Sequence, residues 1–461
     1  MQTKIPHPYT IIFFLIIFVA ILTYILPAGE FERYKDSEGR TLVKAGSYEI
    51  VKKNPQGIKG ILMAPIKGSI DAAAVVGFVL IIGGAFGIIG ATGAIEAGLN
   101  RAVTLLKGKE LFIIPLSMLL FSLGGTIFGM CEETLPFYMI FIPLCMAMGY
   151  DSLTGFMIVF LSSSAGTSAS TVNPFAVGIA QAIAELPPGS GVQYRAIQFC
   201  IYMIISVGFV IWYARRVKKN PEKSPMYELD KETKIFFSEK SDNSSKLITL
   251  TIRHGLILSG FAAGMCIMVW GLLARKWYIE EVSMVFLGIG LMGGLIARFD
   301  QKKIAESFVL GCKDLTCAAV IIGLARGVLI VARDGKIIDT VLFTAAGILN
   351  GLPKSLFAVL MLLIQNGIAF LVPSSSGHAA LTIPVLAPLG DLVSVNRQII
   401  VTAYQYGSGI TNMFSPTSGT LMASLGVAKI PWNKWAYFIL PLVVVYWIFA
   451  AVFLIVGVGM N

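Results

Sequence analysis

The chain has 461 residues, of which 56% are apolar and 13% charged, and its mean hydropathy is +0.78. That balance excludes a soluble globular domain, and apolar stretches of roughly twenty residues recurring along the whole length mark a polytopic helical membrane protein. The net charge of +10 lies in segments between the apolar runs and not in a stripe with interleaved aromatics, so positive-inside topology accounts for it and nucleic acid is not an expected partner.

In chain order, residues 1–28 hold a first span with no small-x-small cleavage site, read as a retained anchor. Residues 29–67 carry both signs of charge and are expected outside. A first structural unit covers 68–216. It has a span from Asp71 to Gly90, an amphipathic piece ending at Lys107 and Lys109, and a hairpin over 111–148. A broken helix over 153–184 and a span from Arg195 to Tyr213 complete it. The lysine-rich stretch 217–253 is expected in the cytoplasm, and 254–274 is a linking span. A second unit covers 281–457, with a span from Leu315 to Ala332, a hairpin over 356–392, a broken helix over 399–425 and a last span from Trp435 to Val456.

The two units match at an offset close to 240 residues. Ile81-Ile82-Gly83-Gly84-Ala85-Phe86-Gly87 corresponds to Ile321-Ile322-Gly323-Leu324-Ala325-Arg326-Gly327, and Gly68-x-x-Asp71 to Gly311-x-x-Asp314. With each hairpin counted as no net crossing, an odd number of crossings separates equivalent spans, so the second copy is expected upside down. The fold class is therefore an all-α polytopic membrane protein, an inverted repeat with two re-entrant hairpins and two discontinuous helices, as in secondary transporters. Nine crossings, a cytoplasmic N-terminus and an external C-terminus follow. The six cysteines show neither a CxxC pair nor zinc-ligand spacing and read as packing residues.

Chemistry-bearing residues concentrate where the apolar runs break. Glu132 and Glu133, with Thr134, sit at the first hairpin tip, where charge is costly unless it meets a solute, an ion or a proton. They suit a cationic or amino-bearing solute. Ser375, Ser376 and Gly377 open a helical run whose N–H groups are placed either to hold a carboxylate or simply to cap the helix. His378 either meets the solute or packs. Asn173 and Asn412 are expected to line the site, and Ser164, Gly166, Thr167, Ser408 and Thr411 to offer oxygens to an ion. Arg326, unusual inside a span, either contacts the solute or pairs with a carboxylate of the protein. No serine is paired with a base at a recognisable spacing, so an enzyme is not expected. No metal or cofactor is expected beyond sodium or a proton as coupling ion.

The segments Glu132-Glu133-Thr134-Leu135-Pro136-Phe137, Val372-Pro373-Ser374-Ser375-Ser376-Gly377-His378-Ala379-Ala380-Leu381-Thr382, and Pro27-Ala28-Gly29-Glu30-Phe31-Glu32-Arg33 resemble the YfcC-like carriers, related to the anaerobic C4-dicarboxylate carriers. The resemblance implies a bacterial inner-membrane carrier, provisionally one of basic amino acids such as arginine and ornithine, working as an antiporter with an elevator-like transport domain. The alternative is a sodium- or proton-coupled carrier of C4-dicarboxylates or short-chain carboxylates. Expected partners are the solute, the bilayer and, as one option, a second copy in a homodimer.

Overall fold

The computed structural model describes residues 8–36, 41–105, 110–231, 250–275 and 277–460. Lys4, Lys107, Lys109 and residues 232–249 of the expected cytoplasmic linker lie outside the described residues. The order of helices begins α1 (Pro8–Ile25), α2 (Ile58–Asp71), α3 (Ala73–Ala91), α4 (Ala94–Leu105), α5 (Glu110–Phe128), α6 (Leu135–Ala147), α7 (Ser152–Ser168), α8 (Ile179–Ile183) and α9 (Val192–Lys219). It continues α10 (Ile252–Ala274), α11 (Ile279–Ile296), α12 (Gln301–Asp334), α13 (Ile338–Leu349), α14 (Lys354–Leu371), α15 (Ser375–Leu392), α16 (Arg397–Asn412), α17 (Gly419–Ala428) and α18 (Trp432–Gly459). Between α1 and α2, β1 (Gly29–Glu30) pairs with β4 (Glu49–Ile50), and β2 (Arg33–Lys35) with β3 (Thr41–Val43), all antiparallel.

Eight helices among the described residues are long and apolar enough to cross a bilayer: α3, α5, α9, α10, α11, α12, α14 and α18. The list differs from the nine expected crossings in two ways. It includes the first arm of each hairpin, 19 and 18 residues long, where the sequence reading counted each whole hairpin as no net crossing. It omits α1 and the two broken helices, whose apolar pieces are shorter.

The expected polar segment 29–67 also contains an unforeseen helix, α2. Its polar residues Lys59 and Lys67 and internal Pro65 hid a period of four: Ile58, Leu62, Ile66 and Ile70 form one exposed apolar stripe, while Ala64 and Gly68 are buried on the opposite side.

The buried face of α2 explains the centre of the molecule. α2 and α3 cross α12 antiparallel through glycines. A Cβ on Gly68 would strike the Gly323 carbonyl and lie 2.6 Å from the Gly327 nitrogen, and one on Gly83 would lie 2.6 Å from the Gly311 carbonyl oxygen. A Cβ on Gly311 would strike Gly83, and one on Gly87 would meet Ser307 and Gly311. Small residues allow this backbone approach, as in close helix pairs within membranes. The contacts are reciprocal: Gly68 meets Gly323 and Gly327, and its sequence counterpart Gly311 meets their counterparts Gly83 and Gly87.

The same exchange recurs farther out, where α6 packs on α17 and α8 on α15. α5 packs on α7 as α14 packs on α16, and α7 crosses α16 where Ser168 abuts Gly409. At one end, the strand segment is pinned to the α12–α13 corner. Arg33 pairs with buried Asp339 at 2.9 Å, Phe31 N donates to the same carboxylate, and Lys336 reaches Glu30.

Candidate solute-binding cavity

Each hairpin tip and each helix break is built by identifiable backbone chemistry. α5 stops at Gly129 (φ +72°), whose N–H returns to Gly125, while Met130 N–H reaches Gly124. This is a glycine C-cap, and the Asn173 amide lies where a Gly129 side chain would be. The chain then makes one tight turn, Glu132–Thr134, before α6. Thr134 Oγ1 donates to the Cys131 carbonyl at 2.6 Å, and the Glu133 carboxylate folds back onto the Cys131 N–H at 3.0 Å. Glu132 reaches across to the other unit, accepting from Thr420 Oγ1 at 2.7 Å.

The breaks are equally specific. After α7, Asn173 Oδ1 accepts from Phe175 and Ala176 N–H and starts the π-turn Pro174–Gly178 that leads into α8. After α16, Ser418 caps α17, and Ser374 caps α15 at the second hairpin tip. Several of the carbonyls freed at the breaks and at the first tip are taken by the protein's own donors. Trp435 and Trp432 indoles donate to Met413 and Phe414 carbonyls at 2.8 and 2.9 Å, Arg195 Nε donates to Thr171 at 3.2 Å, and Ser163 donates to Met130. An unpaired backbone carbonyl in a dry interior is costly, which is why rigid donors sit there.

These pieces enclose a cavity of about 310 Å³. Of the expected site residues, Glu132, Glu133, Asn173, Ser375, Ser376, Asn412, Ser164, Thr167, Ser408 and Arg326 line it. Five lie off it. Thr134 is turned to Cys131 and Tyr138, and Gly166 packs on the Ser122 backbone. Thr411 is held by Asn366, and Gly377 N–H is taken by the Ser374 cap. His378 is fully buried, its Nε2 sharing a hydrogen bond with Gln365 at 2.5 Å and its ring edge-on to Tyr404.

The sequence reading missed several lining residues, among them Asp71, Cys131, Tyr278, Tyr404 and Gln405. Asp71 was seen only as a repeat marker, and Tyr278 lies in an ordinary turn. Tyr404 and Gln405 sit on α16 about two turns before it ends at Asn412. The Tyr404 hydroxyl donates to the Ser375 carbonyl at 2.6 Å, steadying the second tip. Gln405 Nε2 donates to the Ser170 carbonyl at 3.1 Å, while its Oε1 and the Asn412 Oδ1 are buried acceptors without a donor among the described residues. Gln405, Ser408 and Asn412 stand on one stripe of α16, facing Phe160, Ser164 and Thr167 on α7.

The electrostatics of the cavity are asymmetric. Glu133 is only 6% exposed, and among the described residues neither glutamate is in an ion pair. Arg326, the one basic residue lining the cavity among the described residues, donates from Nε to Asp71, which Arg333 also approaches at 3.5 Å. Tyr278 closes one side against Phe175, ring centroids 5.5 Å apart. Burial, then the negative field of Glu132 and Glu133, push its hydroxyl up to about 12, with Arg326 opposing. Ser374, Ser375 and Ser376, at the start of α15, line the same cavity, and the Gly377 N–H of that first turn is taken by Ser374.

Residues 5–459 match the model of the DcuC family, the C4-dicarboxylate anaerobic carriers. The chain belongs to this family. The carrier is 34% identical to YfcC of Escherichia coli (strain K12), provisionally named a basic amino acid antiporter, over 93% of this chain and 92% of that one. It is 31% identical to an uncharacterized protein of Haemophilus influenzae (strain ATCC 51907 / DSM 11121 / KW20 / Rd), over 99% and 97%. Among solved structures, Neisseria gonorrhoeae MtrF, of a class of antimetabolite efflux pumps, aligns at 19% identity over 99% of this chain and 96% of that one, TM-score 0.43. The carrier is a multi-pass membrane transporter.

Proposed function

We propose that this carrier exchanges basic amino acids of the arginine and ornithine type across a bacterial inner membrane. It would do so by alternating access, with a transport unit moving in elevator fashion against a framework. One observation carries the reading: two glutamates without a basic partner among the described residues border the same cavity as the first turn of α15. A solute with a cationic end and a carboxylate satisfies both walls. A dianion held ~4 Å from one ionised glutamate would meet about 4 kcal/mol of repulsion at an effective dielectric of 20, roughly a thousandfold in affinity.

The inverted repeat is part of the same proposal. Its support is the reciprocal crossing of matched glycines and the swapped pairs α6–α17 and α8–α15, the self-complementary pattern that a two-fold axis imposes. With that inversion, the N-terminus lies in the cytoplasm and the C-terminus outside. The cavity walls divide accordingly: Asp71, Tyr278 and Arg326 belong to the framework, and the hairpin tips and broken helices to the mobile unit.

The family's description favours a second reading, a carrier of C4-dicarboxylates using sodium or protons, with the glutamates as coupling sites. Counterflow separates the two. Vesicles containing the purified protein and loaded with unlabelled arginine are expected to accumulate labelled arginine. Accumulation of labelled succinate in succinate-loaded vesicles, with none of arginine, would overturn the amino acid assignment.

A further inference from the structure

Arg326 carries the group that a basic solute would bring, a guanidinium with five N–H donors, and it borders the same space as Glu132 and Glu133. Only its Nε is engaged among the described residues, on Asp71. Asp71 stands where α2 ends and α3 begins, and it is fixed there by the glycine crossing at Gly68 just before it and by Arg333, two turns beyond Arg326 on α12. Both members of the pair are partly open to the cavity, at 30% for Arg326 and 23% for Asp71. Water-exposed pairs of this kind exchange partners easily. Glu132, which accepts from Thr420 of the other unit, and Glu133, which accepts from the Cys131 N–H, are the other carboxylates lining the same cavity among the described residues.

We infer that Asp71 is a specificity-determining holder: it keeps Arg326 on the framework wall, so that the protein's own guanidinium does not occupy the glutamates in place of a cationic solute. This rests on the proposed reading of Glu132 and Glu133 as the cation-binding wall. The consequence is twofold. Solute affinity depends on Asp71 without Asp71 touching solute. In addition, an empty carrier keeps two uncompensated carboxylates, and that charge opposes its return without a load, which is what an exchanger requires.

The experiment uses the full-length protein in vesicles and reads arginine uptake against concentration. In Asp71→Asn the released Arg326 partitions onto the glutamates. If it occupies them nine-tenths of the time, the competent fraction is one-tenth and KM rises about tenfold, with little change in the maximal rate. Asp71→Asn/Arg326→Gln is expected to recover most of that loss, a rescue that a merely structural role for Asp71 does not give. Efflux of labelled arginine into solute-free medium is expected to increase in Asp71→Asn and to fall again in the double variant.

An unchanged KM in Asp71→Asn, or an equal rise in the single and double variants, would overturn the proposal. If Asp71→Asn is not recovered as a monodisperse protein, Asp71→Ser carries the same test. Failure of both, with no recovery in the double variant, marks Asp71 as structural and also overturns it. Glu133→Gln separates the layers. If it leaves KM for arginine unchanged, the cation-binding wall is wrong. If it raises KM while Asp71→Asn does not, only the holder is wrong.

Discussion

Replacing Glu133 by glutamine removes the charge its carboxyl carries when ionised and changes little else in shape. The carboxylate is 6% exposed and its one structural task is to accept the Cys131 N–H at 3.0 Å, which the amide oxygen of glutamine can also do. The turn at 132–134 and its Thr134 bond to Cys131 remain. The change in solute binding is therefore mainly electrostatic. A cation 4–6 Å away would lose about 3–4 kcal/mol at an effective dielectric of 20. Glu132 still faces the cavity, and a less charged wall demands less desolvation of the solute, so part of that loss is offset. The expected outcome is a KM for arginine at least tenfold higher, with the variant folded and melting within a few degrees of the parent. Initial rates of arginine exchange in reconstituted vesicles measure it. A KM within twofold of the parent, in protein with an intact melting transition, would refute the claim that this carboxylate meets the cation.

Other consequences follow from the packing. Gly311→Val drives a branched side chain into the Gly83 backbone, a collision that costs about 1–3 kcal/mol when the structure can relax. The counterpart Gly68→Val meets Gly323 and Gly327, and the two variants are expected to lower the melting temperature in detergent by similar amounts. A large loss in one with none in the other would count against a two-fold relation. Trp435→Phe strands the Met413 carbonyl, an unpaired buried acceptor worth about 1–3 kcal/mol, so it should destabilise more than Trp270→Phe on an exposed surface. Arg195→Met removes donors to Thr171, Ser190 and Gln398. Its expected effect is a lower maximal exchange rate and increased protease sensitivity between residues 169 and 191, read by limited proteolysis in detergent.

The breaks and tips were legible because each is written locally. Asn173-Pro174, the Ser374 cap and the acids at 132–133 need no distant partner to announce a chain that cannot remain a helix. The matched glycines were legible as a repeat, though that they touch one another crosswise is a tertiary fact. The partners of the freed groups were not legible. Trp435 for Met413, Arg195 for Thr171 and Asp71 for Arg326 come from helices up to 255 residues away in the chain. The same limit hid the orientation of His378 and Thr411. Both stand beside residues that line the cavity, but helical rotation points them into Gln365 and Asn366. α2 was missed because its exposed stripe, carried by a period of four, is interrupted by two lysines and a proline.

Cys131 supplies the most direct test of where the solute sits. Read from sequence as packing, it borders the cavity between Met130 and Glu132, and it is the one cysteine lining it among the described residues. Reaction with a charged, membrane-impermeant thiol reagent, measured in vesicles against a Cys131→Ser control, reports access to that wall. The account predicts that labelling of Cys131 slows as arginine is added, with a half-maximal concentration near the KM for exchange, and that succinate does not protect. Labelling that arginine leaves unchanged at saturating concentration would contradict it.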